Sequence, residues 1–213
     1  MRRFRSRRRW GVLMLGEAQA WELLAARDPQ EVCERAAVGF SAEGGGYQVP
    51  VFGSSIAVDP VARAMTGSCE ESELTLTKNA YFSRLSILHY LLGAQKIPVS
   101  GRLLKPEELK TGQFYAQGSH LLPIDRIAAR FSRDPVGFAT QAERFGGRPQ
   151  SFGDVAAELS PLPRVPVTLI LWQEDDEFPA RCSLLFDDTC ELHLPADMLW
   201  SVAMLCALAM LRH

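Results

Sequence analysis

The chain has 213 residues, 47% of them apolar and 23% charged, which suits one globular domain that closes its own core without disulfides or metals. Net charge is −2, yet six arginines fall within the first nine residues (Arg2, Arg3, Arg5, Arg7, Arg8 and Arg9), so the remainder carries −8. An acidic body of that kind argues against a general nucleic-acid binder. The five cysteines, Cys33, Cys69, Cys182, Cys190 and Cys206, are odd in number and form no CxxC pair, which excludes a disulfide framework and a zinc or iron–sulfur site read from spacing. Reduced thiols in a cytoplasmic protein are the expectation.

The basic opening, residues 1–13, resembles a targeting signal, but its apolar part from Trp10 to Leu15 is short and is closed by Glu17. We read 1–13 as a tail that is either untranslated, with initiation at Met14, or disordered. Residues 14–213 read as a single domain.

From Leu15 to Ala26 apolar residues recur at helical spacing. Asp28-Pro29 then starts a second helix, with Glu31 at the capping-box position and Val32, Ala36 and Phe40 inward. The triple glycine Gly44–Gly46 ends it as a connector; no Lys-Ser/Thr follows, so it is no phosphate loop. Tyr47–Phe52 and Ser55–Val58 read as a hairpin turning at Gly53-Ser54, and Thr66–Glu73 as a polar loop. Thr77–Gly93 reads as a helix with Tyr81, Leu85, Leu88 and Leu92 on its inner face and His89 at its border.

Residues 95–122 are rich in breakers, with one helical turn over Lys105–Leu109 and a loop, Gln113–His120, that presents Tyr115 and His120. Helices over Ile124–Phe131 and, capped by Asp134-Pro135, Val136–Phe145 follow, the second stopped by Gly146-Gly147. Asp154–Leu159 leads into the central feature, a hairpin of two apolar runs, Val165–Trp172 and Cys182–Phe186, with Glu174–Glu177 at its tip. Continuous apolar character implies cover on both faces, supplied by the final helix and the helix carrying His89, so Ile170→Asp should unfold the domain. The final helix, Pro195–Leu211, is apolar nearly all round but shorter than the roughly 20 residues of a membrane span. The class is α+β: a mostly antiparallel sheet built on the central hairpin, covered by helices.

Candidate ligand-binding residues are His89, Tyr115, His120, Arg164 and Glu177. A histidine titrates near neutrality, and Arg164 offers a planar fork to an anionic ligand or to an internal acid, Asp187 or Glu177. The acidic tip lacks the spacing of a calcium loop and is expected to be solvated. No G-x-S-x-G or dinucleotide-binding glycine pattern is present.

The segments Val58-Asp59-Pro60, Leu88-His89-Tyr90-Leu91-Leu92, Gly112-Gln113-Phe114-Tyr115, Arg144-Phe145-Gly146-Gly147, Leu162-Pro163-Arg164-Val165-Pro166 and Leu171-Trp172 through Glu177-Phe178-Pro179 carry a resemblance. Together they resemble an uncharacterised domain-of-unknown-function family of anaerobic bacteria and archaea, from about residue 15 to the end. Some members resemble fusions with a four-cysteine iron–sulfur module, which this chain lacks. The resemblance implies an accessory or binding module, linked to a cofactor of corrinoid or iron–sulfur type or to a redox-protein or corrinoid-protein partner. It supplies no reaction, no defined cofactor and no oligomeric state. The alternative is a small-molecule hydrolase or isomerase that uses a histidine with a carboxylate.

Overall fold

A computed structural model describes residues 16–41, 45–112 and 121–212. The basic tail, and the loop carrying Tyr115 and His120, therefore lie outside the described residues.

Two local signals set the first helices. Gly16 precedes α1 (Glu17–Ala25), and the Asp28 carboxylate accepts from the Gln30 amide at 3.1 Å to cap α2 (Pro29–Ala36). Glu31 does not close a capping box; it pairs with Arg35 one turn on at 3.1 Å. The chain leaves α2 through Ala37 in the left-handed region and enters β1 (Gly39–Ser41). Phe40 is thus on a strand, 43% exposed, edge-on to Tyr47, and not on the inner face of a helix.

β1, β2 (Gly46–Val51), β3 (Ser54–Asp59) and β4 (Ala64–Gly67) form an antiparallel four-stranded sheet in that order. The β2–β3 turn is Phe52-Gly53, one residue earlier than the sequence suggests, with φ of +50° and +76°. Positive φ at both positions is what a type I′ turn needs, and Phe52 tolerates it because its ring is anchored. It is buried, edge-on to Phe145, and its amide donates to the Ser160 carbonyl at 2.9 Å. The expected polar loop at 66–73 instead completes β4 and opens α3 (Glu70–Thr77). Asn79 then starts a separate helix, α4 (Ala80–Gly93). Tyr81 is 81% exposed, while Ser83 and Ser86 point inward, because α4 is wedged between α7 (Ala196–Leu211) on one side and α1, α2 and α3 on the others.

The second sheet has the order β5-β9-β8-β7-β6, all antiparallel. β5 is Leu103–Leu104, β6 Arg148–Gln150, β7 Val155–Leu162, β8 Val165–Trp172 and β9 Arg181–Asp187. The expected hairpin is therefore β8–β9, in the interior of this sheet, with Glu174–Glu177 at its tip. Helices α5 (Ile124–Arg130), α6 (Pro135–Arg144) and α7 pack on one face, where Val167, Leu169, Leu171, Leu184 and Phe186 enter the main core. α6 is capped at its start by Asp134, which accepts from the Gly137 amide at 2.7 Å. It ends in a Schellman motif, in which the Gly147 amide reaches the Ala142 carbonyl and the Gly146 amide the Glu143 carbonyl.

The other face differs from expectation. α4 packs mainly against α7, α1, α3 and α2 and not against this sheet. Ile170 and Ala156 are buried, yet they stand apart from the main core. The turn at Gly153 covers Ile170: a Cβ placed there would lie 2.7 Å from Ile170 Cγ2 and 3.3 Å from the Trp172 ring. Trp172 is in turn covered by Arg181, 4.3 Å above its ring. The class is α+β, as read from the sequence, with two antiparallel sheets. Among the described residues no helix is long and apolar enough to cross a membrane.

Candidate functional site

Arg164 stands in the two-residue turn between β7 and β8. Its guanidinium meets neither Asp187 nor Glu177. Nε donates to the Arg35 carbonyl at 2.8 Å, Nη1 to the Ile97 carbonyl at 3.2 Å and Nη2 to the Glu34 carbonyl at 3.5 Å. Glu34 and Arg35 close α2, so a cation fills the carbonyl end of that helix, where the backbone dipole favours it. Arg35 repeats the device on α4 by donating to the Ala94 carbonyl at 2.6 Å. The buried Tyr90 hydroxyl joins the two, donating to the Ala36 carbonyl at 2.7 Å and accepting from the Arg164 amide at 3.1 Å. Burial holds that phenol well above its ordinary range. The planar fork is used, but on backbone oxygens, and it joins three segments of the fold.

Two further candidates, His89 and Glu177, are among the described residues, and neither bonds to the Arg164 guanidinium. His89 is buried in α4. Glu177 is exposed at the hairpin tip, where its amide donates to Asp175 at 2.9 Å. Asp175 also accepts from Phe178, and these two backbone bonds hold its carboxyl below the usual range. Glu174 is paired with Arg133. The tip is a closed, solvated turn, and no group of three metal-ligating side chains occurs among the described residues.

A concavity lies elsewhere. A cleft of about 450 Å³ opens between the turn at Lys105–Glu107, the start of α5 at Ile124-Asp125, and Cys182–Leu184 of β9, a volume within the range of ligand sites. Consecutive side chains of a strand point to opposite faces. A cleft that touches Cys182, Ser183 and Leu184 together therefore meets the backbone edge of β9. That edge is the outer one, since β8 occupies the other along its length. β5 pairs only with Phe186 and Asp187. It stops there because Pro106 has no amide to donate and opens a 3₁₀ turn, in which the Glu108 carboxylate accepts from the Lys105 amide at 2.7 Å. Burial pushes the Cys182 thiol up to about 12, so it lines the cleft as a neutral, weakly reactive wall.

A family model described as a domain of unknown function, DUF3786, matches residues 28–209. The chain belongs to the DUF3786 family. No curated protein and no solved structure is similar enough to the chain to count as a match. The DUF3786 match spans both sheets, the cleft and the Arg164 node.

Reading the sequence alone missed a second polar cluster within the DUF3786 region, at the end of β9. The Asp187 carboxylate is buried and accepts from the amides of Gly101 at 2.7 Å, Thr189 at 3.0 Å and Ser100 at 3.2 Å, and from the Thr189 hydroxyl. Burial alone would raise its pKa, but these bonds outweigh it and hold the carboxyl below the ordinary value. His193 lies close by, capping the end of the 3₁₀ turn Cys190–Leu192 that follows β9, and is 1% exposed. Its Nδ1 accepts from the Gln95 amide at 3.3 Å, and Nε2 is buried without a partner. Burial first, and then the Arg164 charge, depress its pKa to about 4. The Asp187-Asp188-Thr189 run is a turn signal in its own right, but nothing local to His193 foretells that it is buried.

Proposed function

We propose that the protein is a cytoplasmic binding or accessory module whose working surface is the cleft beside β9, and the observation that carries this reading is that cleft. It brings together a strand edge unpaired among the described residues, one ammonium (Lys105), two carboxylates (Glu107 and Asp125) and a hydroxyl (Ser183) around about 450 Å³ of space. Such a surface recognises and holds. His89, the described histidine of the hydrolase or isomerase alternative, is not among the residues lining it. Cys33, Cys69, Cys182, Cys190 and Cys206 are all free thiols, in keeping with a reducing compartment.

The resemblance to relatives that carry an iron–sulfur module directs the proposal towards a redox or corrinoid protein, or its cofactor, as the species held. Absorption spectroscopy of the protein purified without oxygen from its source tests this. A chromophore or a stoichiometric redox partner that co-purifies is expected, and colourless protein without a partner overturns it.

A further inference from the structure

We infer that the outer edge of β9 at Cys182–Leu184 takes an extended peptide segment of a partner protein as an added strand, with a basic side chain of that segment turned towards Glu107 and Asp125. This deepens the binding-module reading and rests on it.

Three features of the cleft carry the inference. First, three consecutive residues of β9 line it, which places it along the strand's edge, and an extended backbone matches donors and acceptors spaced along such an edge. Second, no strand continues β5 past Leu104 among the described residues, and none of them pairs with this edge where the cleft lies. Free edges of this kind pair with another chain unless they are blocked, and nothing in Cys182, Ser183 or Leu184 blocks this one with a charge or a proline. Third, the rim carries two carboxylates against one ammonium, and none of the three is in an ion pair among the described residues. A basic side chain on the incoming strand supplies the missing partner, and an acidic residue elsewhere on it suits Lys105.

The test is a selection of random peptides of about seven residues, long enough to span the edge at roughly 3.3 Å per residue, displayed against the full chain. Enriched sequences are expected to alternate apolar residues and to include lysine or arginine. An enriched peptide is then made in two forms, N-methylated at alternate residues in one phase or the other. Since one edge of an added strand bonds to β9, one phase should abolish binding and the other leave it intact. Hydrogen exchange at Cys182–Leu184 should slow in the complex. The Glu107→Lys/Asp125→Lys double variant, altered only at exposed side chains, should weaken binding about tenfold as two exposed attractions become repulsions. No enrichment, tolerance of both methylation phases, or protection confined to other segments overturns the inference. A concentration-dependent dimer protected at the same amides would assign the edge to a second copy and overturn it equally. If a chromophore or partner co-purifies but leaves exchange at Cys182–Leu184 unchanged, strand addition fails while the binding-module reading stands.

Discussion

Arg164 and Tyr90 show how a side chain with the chemistry of a ligand site can also serve the fold. The guanidinium places three of its five donors on carbonyls of Glu34, Arg35 and Ile97, and the Tyr90 hydroxyl serves Ala36 and Arg164 at once. Tyr90→Phe removes that hydroxyl from a site with no solvent access, so a loss of about 1–3 kcal/mol is expected in urea unfolding, with peptide binding at β9 unchanged in the folded fraction. His193 gives a pH signature. Its folded pKa of about 4 lies below its ordinary 6.5, so the unfolded chain binds the proton first. The stabilisation is complete above about pH 6.5 and is lost as pH falls to about 4, on the order of 3 kcal/mol. Urea midpoints measured across pH 4–7.5 should fall through that window in the wild type. In His193→Gln, whose amide oxygen can still accept from Gln95, they should stay nearly flat. Asp187, held below its ordinary value, adds a second loss that begins only below about pH 4.

Among the elements, those whose ends are set by short-range bonds were legible in the sequence. Asp28-Pro29 and Asp134-Pro135 start α2 and α6, and Gly146-Gly147 stops α6. β1, β4, β5 and β6, of two to four residues each, were not, because so short a strand is defined by its neighbour and carries no periodicity of its own. The β2–β3 turn was misplaced by one residue for a related reason: Phe52 accepts a left-handed backbone only because Phe145 and Ser160 hold it. That contact yields a prediction. At Gly146, φ is +66° and an added Cβ would lie 2.8 Å from Gly53 Cα. Gly146→Ala should cost about 1–3 kcal/mol. Gly39→Ala, whose Cβ would meet only Gln48 at 3.6 Å and whose φ is not positive, should be nearly neutral. Thermal melting of the two variants compares them.

At the scale of the whole molecule, β8 separates two environments. Leu169 faces the helices α5, α6 and α7 and belongs to the main core, whereas Ile170 faces the turn at Gly153 and stands outside it. Leu169→Ala should cost about 2–5 kcal/mol, and Ile170→Ala should fall at the lower end of that range, since the short turn above it can settle into the space. Urea unfolding that placed Ile170 as high as Leu169 would mean that the second face is as tightly packed as the first. The same asymmetry refines the expectation for Ile170→Asp: the charge is placed beneath a turn, where water is nearer than in the helix-covered layer.

Patterns within a few residues determined that this chain is α+β, that an apolar hairpin lies in the interior of its sheet, and where its capped helices begin and end. Periodicity and capping act between residues one to four apart, so they are written locally. The tertiary structure alone decided what the candidate residues touch. Arg164 finds carbonyls 67 to 130 positions away, and His193 finds the amide of Gln95, 98 positions away. The cleft, too, belongs to the assembled fold. Its β9 side and its walls at Lys105–Glu107 and Ile124-Asp125 come from three separate stretches, and among the described residues its edge is unpaired because β5 ends at Leu104, two residues before Pro106, while β9 runs on.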